Sequence, residues 1–399
     1  MKYSLRLFTY SLILVLSVAG CRKDTVADAI PNSEFFVSAT NLGTYPKEIL
    51  QTLARQAGLT AYAALVKYDV EFFKFNYNTT FKGKQIQASG LLALPKNMPA
   101  APSLISAQHG TIFRFADAPS NFPGAFTGFE LFAGAGFATI IPDYIGYGAS
   151  QNIAHPYYDQ QSSGIAVVDM IKAAKYYFAK QNIATSNRLF LIGYSEGGYV
   201  TMAAQKEIET NASHNLTLTA AAEGAGGYDL TGMLSAIATT TDYATPSYLA
   251  LLMRGYDSTY NWNRPFSDFF QQPYATRVPA SLNGSLAQQE IDAQLSHSPV
   301  ALLTPAFYSN LTSATGETAL KQQLAANSFL TWVPKSPTRL YHGTADEAVF
   351  FQTSLSTFNR FKAAGATNVE FFPFAGGTHE TSVQPMMLNA LPWIQSLDK

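Results

Sequence analysis

The sequence predicts an α/β protein: a mostly parallel sheet with helices on both faces, led by an antiparallel hairpin and interrupted by a helical insertion. Three features point there. Period-2 alternation is concentrated early in the chain, short apolar runs then alternate with helical stretches, and one long segment breaks that rhythm. The composition allows it, since 399 residues with 47% hydrophobic and only 13% charged side chains can fill a large core.

The elements follow in order. Residues 45–65 carry Ile49, Leu53 and Ala57 at helical spacing and predict a helix. In residues 68–81, YDVEFFKFNYNTTF, Phe73, Phe75 and Tyr77 share one face and Lys74, Asn76 and Asn78 the other, which marks a half-buried strand. Lys82 and Gly83 form a plausible turn into KQIQASGLLALP (84–95), its antiparallel partner. Short apolar runs at 103–107, 137–142, 188–193, 216–222, 338–343 and 369–374 predict further strands. Helical patterns occupy 164–181, 195–209, 350–365 and 381–397 between or after them, so the sheet reads as parallel there. Residues 228–335 are too many for a loop and carry helical patches with aromatic, Pro-containing stretches such as YNWNRPFSDFFQQPY. They read as a cap on a core made of 34–227 and 336–399. Its aromatics can serve as cap core, as pocket wall, or as both.

The first residues read as a targeting segment rather than as part of the fold. Lys2 and Arg6 precede an apolar run, 7–18, that is too short to span a bilayer, and SVAGC ends it at Cys21. This pattern is similar to a bacterial lipobox, in which residues 1–20 are cleaved and Cys21 is lipidated; a plain secretory signal is the alternative. Cys21 is the single cysteine, so it has no intrachain disulfide partner. Residues 21–33 then form a lipidated tether. The expected location is the bacterial cell envelope, and Arg22 in place of an aspartate favours the outer membrane. The formal charge of −1 and the absence of a basic stripe argue against a nucleic-acid partner.

The chemistry centres on GYSEGG, residues 193–198, a G-x-S-x-G pattern between a predicted strand and a predicted helix. A nucleophile on so sharp a turn needs neighbours without side chains, and the helix N-terminus supplies positive potential. Ser195 is therefore the expected nucleophile. It needs a base oriented by a carboxylate, the two following in the order acid, then histidine. Among six histidines, His214 and His297 lie in polar, exposed segments, His155 comes too early, and His109 and His342 each precede a glycine at a strand end. His379, in AGGTHET after the last predicted strand, is the expected base. Asp346 in HGTADEAV is preferred to Glu347 as the acid; its alternative role is a helix N-cap. Oxyanion donors are expected from the main-chain N–H of Glu196 and from QHGT, where Gly110 admits the substrate and Thr111 donates, with Ile112 as the fallback.

The array HGT, GYSEGG, HGTADEAV and GGTHE resembles the α/β-hydrolase fold, and more narrowly the secretory lipase family of capped bacterial and fungal lipases and esterases. PDYIGYGAS (142–150) resembles a turn found in such hydrolases after the fourth strand. The resemblance spans roughly residues 68–397. It implies hydrolysis of carboxylic esters, acyl or aryl, by Ser195, Asp346 and His379 through an acyl-enzyme, with no metal and no organic cofactor. No C-x-x-C and no zincin-spaced histidine pair occurs. A histidine base predicts activity that falls on the acid side. Two rivals share the pattern: a serine peptidase or amidase on the same scaffold, and a non-catalytic surface lipoprotein that binds glycan or lipid.

Overall fold

A computed structural model describes residues 30–399. The expected leader, Cys21 and most of the tether lie outside the described residues. Among the described residues nine strands form one sheet: β1 Phe36–Tyr45, β2 Val70–Phe81, β3 Lys84–Pro95, β4 Leu104–Gln108, β5 Ala138–Pro142, β6 Leu189–Tyr194, β7 Ala220–Gly224, β8 Thr338–Gly343 and β9 Val369–Phe374. Their spatial order is β1-β2-β3-β5-β4-β6-β7-β8-β9. The β1–β2, β2–β3 and β3–β5 pairs are antiparallel. All pairs from β5 through β4 to β9 are parallel.

The hairpin closes where the sequence suggests. Lys82 (φ 51°) and Gly83 (φ 71°) are both left-handed, as a two-residue turn between right-twisting strands requires. Its tip is tied to the insertion, because Lys82 Nζ donates to the Ser258 carbonyl at 2.8 Å and to Asn261 Oδ1 at 2.6 Å.

Both faces of the central parallel strands β4 to β7 are buried, which is why they read as continuous apolar runs rather than alternations. In β6, Leu189 and Leu191 pack with helices Gln160–Lys180 and Glu196–Thr210, through Val167, Ile171, Val200 and Ala203. Phe190 and Ile192 face the other layer, where helices Lys47–Gln56 and Val383–Leu397 bury Leu50, Ala54, Met386 and Ile394. Helix Gln160–Lys180 begins at Asp159, whose carboxylate accepts from Ser162 N–H at 2.9 Å, an N-cap that satisfies one otherwise orphaned donor.

Between β7 and β8 the chain runs mostly as helices, the longest being Pro246–Tyr260. The aromatic stretch 260–274 packs inside this segment. Phe269 and Phe270 are buried, and Arg264 lies 4.4 Å over the Phe269 ring while its guanidinium grips both Glu317 oxygens at 2.7 and 3.1 Å.

Three expectations need correction, and one strand was not anticipated. Residues 36–45 form an edge strand that no alternation announced. The helix expected over 45–65 is two, Lys47–Gln56 and Thr60–Ala63, separated at Gly58 (φ 77°). The strand expected from 216 begins at Ala220, which pairs with Phe190 of β6; of the residues before it only Thr219 reaches β6, through the Leu189 carbonyl. His214 is not fully exposed, because its Nε2 lies 2.6 Å from Glu207 Oε1.

Candidate active site

Ser195 stands between β6 and helix Glu196–Thr210 with φ 62° and ψ −127°. A left-handed φ on a non-glycine residue costs on the order of 1–3 kcal/mol and is kept only where the surroundings enforce it. The flanking glycines make that enforcement possible. A Cβ on Gly193 would overlap the Gly197 carbonyl, and a Cβ on Gly197 would overlap the Gln108 carbonyl of β4. Both obstacles are main chain and cannot swing aside. Gly197→Ala is therefore expected to lose about 3 kcal/mol or more of stability, read by urea unfolding. A variant as stable as wild type would show that the turn has room to spare.

Asp346 lies in the turn after β8 and His379 in the turn after β9. His379 Nε2 is 2.8 Å from Ser195 Oγ, and His379 Nδ1 is 2.7 Å from Asp346 Oδ2. The structure thus brings together three residues that the sequence separates by up to 184 positions. Asp346 is not the helix N-cap that was its alternative role, since the next helix begins only at Gln352 behind Phe351; it braces the intervening turn instead. Its Oδ1 accepts from the N–H groups of Ala348 and Val349, at 3.0 and 2.8 Å, leaving Oδ2 to His379.

His342 is a second neighbour of this carboxylate. Its Nε2 is 2.7 Å from the Val349 carbonyl, which can only accept, so that nitrogen carries hydrogen; it lies 3.1 Å from Asp346 Oδ2. Burial pushes the Asp346 carboxyl up, but hydrogen bonds from His342 and His379 outweigh it and hold the group at about 2. The depressed value means that Asp346 stabilises the folded state above its ordinary value of 3.8. That contribution, roughly 2 kcal/mol, is lost as pH falls from about 4 through about 2. Unfolding measured across this window should show an acid loss that Asp346→Asn lacks.

Gly110 and Thr111 follow β4 directly beside the serine. A Cβ on Gly110 would lie 3.5 Å from Ser195 Cβ, an ordinary contact, so a side chain here would cover Ser195 rather than strain the backbone. The N–H groups of Thr111 and Glu196 have no main-chain acceptor among the described residues. The Thr111 hydroxyl is 3.0 Å from the Tyr157 hydroxyl. His155, set aside as a base by its position in the chain, touches the elbow instead: its Nε2 is 2.7 Å from Glu196 Oε1.

Two clefts flank the serine. One of about 490 Å³ is walled by Gly110 and Thr111 and by apolar Phe126, Phe129, Val383 and Met387. The other, about 530 Å³, has His379 in its wall and carries Glu347, Glu380, Asp292 and Tyr248. Segment 260–274 lines neither. Among the described residues no group of three or more His, Cys, Asp or Glu could hold a metal ion, and no helix is long and apolar enough to cross a membrane.

A family model for secretory lipases matches residues 130–397. The chain belongs to the secretory lipase family. Solved structures agree on its fold. A Legionella pneumophila protein, provisionally described as a hydrolase, superposes with a TM-score of 0.84 at 23% identity, over 92% of this chain and 99% of that one. The rice cell wall degrading esterase LipA from Xanthomonas oryzae gives 0.76 at 23% identity, over 89% and 94%. Candida antarctica lipase A in its closed state gives 0.67 at 18%, over 92% and 85%. No curated protein matches the chain. This secretory lipase family member has the α/β-hydrolase fold and is a hydrolase of the lipase and esterase class.

Proposed function

We propose that the protein cleaves carboxylic esters with Ser195 as nucleophile, His379 as base and Asp346 as orienting carboxylate. The observation that carries this is the unbroken chain from Ser195 Oγ to His379 at 2.8 Å and on to Asp346 at 2.7 Å, with the serine held at φ 62°. The ionised Asp346 fixes the proton on Nδ1, so Nε2 presents its lone pair to the hydroxyl. His379 takes that proton as Oγ attacks the ester carbonyl, and Glu196 and Thr111 N–H groups receive the oxyanion. The carbon–oxygen bond to the alcohol then breaks, with the imidazolium returning its proton to the departing oxygen. Water repeats the cycle on the acyl-enzyme and releases the acid.

The departing oxygen must lie near Nε2, so the carboxylate-walled cleft beside His379 receives the alcohol. The acyl chain then runs along Phe126, Phe129, Val383 and Met387. Residues 228–335 act as a cap, since Tyr248 and Asp292 line the same cleft as His379. A p-nitrophenyl series from acetyl to palmitoyl tests the reading, with peptide substrates as the control. Turnover is expected to peak at medium acyl length. Val383→Trp should lower the preference for octanoyl over acetyl by about tenfold. An inert series with a folded protein sinks the proposal, and an unmoved chain-length profile removes the acyl assignment.

The envelope location is proposed from the lipobox-like SVAGC alone. Cys21→Ser should release the protein from the membrane fraction and abolish labelling by radioactive palmitate. Unchanged membrane recovery would remove the anchor.

A further inference from the structure

One loop holds both suppliers of oxyanion N–H groups. Between β5 and helix Gln160–Lys180 it sends four side chains to them. The Tyr144 hydroxyl donates to the His109 carbonyl at 2.7 Å, and the Tyr147 hydroxyl donates to the Ile112 carbonyl. Tyr157 meets the Thr111 hydroxyl, and His155 meets the Glu196 carboxyl. The first three fix residues 109–112 and the fourth fixes the elbow. The rings are packed as well, with His109 stacked on Tyr144 at 4.2 Å and Tyr147 against His155 at 5.1 Å.

The His155–Glu196 contact raises a question of charge. Glu196 has a side-chain exposure of 2% and His155 of 7%, so bulk water screens neither. Glu196 Oε2 has no partner among the described residues. A bare carboxylate on the residue whose own N–H faces the oxyanion would oppose the negative charge that forms there. Proton counting removes the difficulty. His155 Nδ1 is 2.7 Å from the Ile145 carbonyl, so Nδ1 carries hydrogen. Nε2 and Glu196 Oε1 stand 2.7 Å apart, a distance that two facing lone pairs would not hold, so one further proton lies between them. Whichever atom owns that proton, the pair is neutral overall.

We infer that His155 and Glu196 are a positioning pair for the oxyanion site: His155 anchors the elbow residue and keeps the buried carboxyl neutralised while the transition state forms. His155 acts through Glu196 and does not itself touch substrate. The inference rests on the ester-hydrolase reading above, and the two fail differently. Turnover that survives Ser195→Ala defeats that reading. Failure of the pair leaves wild-type turnover Ser195-dependent.

The test is His155→Phe, which keeps a ring against Tyr144 and Tyr147 but leaves Glu196 without its proton partner. On p-nitrophenyl butanoate, kcat should fall at least about thirtyfold with KM within about threefold, because the lost interaction exists only in the transition state. Adding Glu196→Gln removes the uncompensated charge and should restore kcat at least about tenfold over the single variant. Affinity for a phosphonate transition-state analogue should follow kcat, and circular dichroism and thermal melts of each variant report the fold. The inference is overturned if His155→Phe retains wild-type kcat, if KM carries the loss, or if the double variant is no faster than the single. Should His155→Phe fail to fold, His155→Gln tests the same pair with a side chain that can still hydrogen-bond Glu196 but has no ionisable proton to share. A fall in kcat of about tenfold at constant KM then supports the inference, and an unchanged kcat overturns it.

Discussion

Replacing Ser195 by alanine is expected to cut turnover of p-nitrophenyl butanoate about a millionfold while leaving the protein folded. The size follows from the arrangement. Without Oγ there is no covalent step, His379 has no proton to take, and only substrate binding and main-chain donors remain. The fold should survive, because alanine meets the same left-handed backbone demand at this position as serine does, and the flanking glycines are untouched. Steady-state kinetics together with near-UV circular dichroism read both halves of the expectation. A folded Ser195→Ala variant with appreciable activity would place the chemistry elsewhere.

The second large effect belongs to Asp346→Asn, for which kcat should fall about ten-thousandfold. An ionised Asp346 Oδ2 only accepts, which fixes hydrogen on His379 Nδ1 and a lone pair on Nε2, 2.8 Å from Ser195 Oγ. An asparagine can turn its NH2 group to Nδ1 and so select the opposite tautomer, with hydrogen on Nε2 facing the serine hydroxyl. The Ala348 and Val349 N–H groups, which Asp346 Oδ1 accepts, hold the asparagine oxygen on their side and leave its nitrogen at the Oδ2 position facing His379. With Asp346 held at about 2, the carboxylate stays ionised through the working range. The decisive measurement is kcat against pH for both proteins. A loss of less than tenfold would mean that the carboxylate does not control the imidazole.

Legibility differs from element to element for physical reasons. Strands β8 and β9 match the residues read from the chain, because each is an apolar run bounded by turn residues and paired along its length. The β2–β3 hairpin was readable from alternation and a glycine turn. Strand β1 was not. Its residues are half-buried or exposed, Gly43 interrupts it at φ 108°, and it is a strand because β2 offers an edge to pair with. In 216–218 the alternation was present but the pairing partner was not. Gly58 carried a helix-stop signal that the longer apolar spacing masked. In the site, Ser195, Asp346 and His379 were readable because each stands in a turn after an apolar run, in a chemically meaningful order. His155 was invisible as a partner of Glu196, since the two stand 41 positions apart with no periodic signal linking them.

What the sequence determined by itself is everything that depends on short-range pattern: the parallel α/β core, the glycine-flanked turn at Ser195 and the order of the turns that carry Ser195, Asp346 and His379. These follow from steric rules and periodicity within a few residues. Only the tertiary structure decided what those residues touch. It closed the distance from Ser195 to His379 to 2.8 Å, gave Asp346 a second histidine, and buried Glu196 against His155. It also drew the apolar cleft wall from Phe126, Phe129 and the last helix rather than from the aromatic segment 260–274. Such contacts arise from how separate strands register in one sheet, and registry is set by the packing of whole layers, which no local stretch of chain encodes.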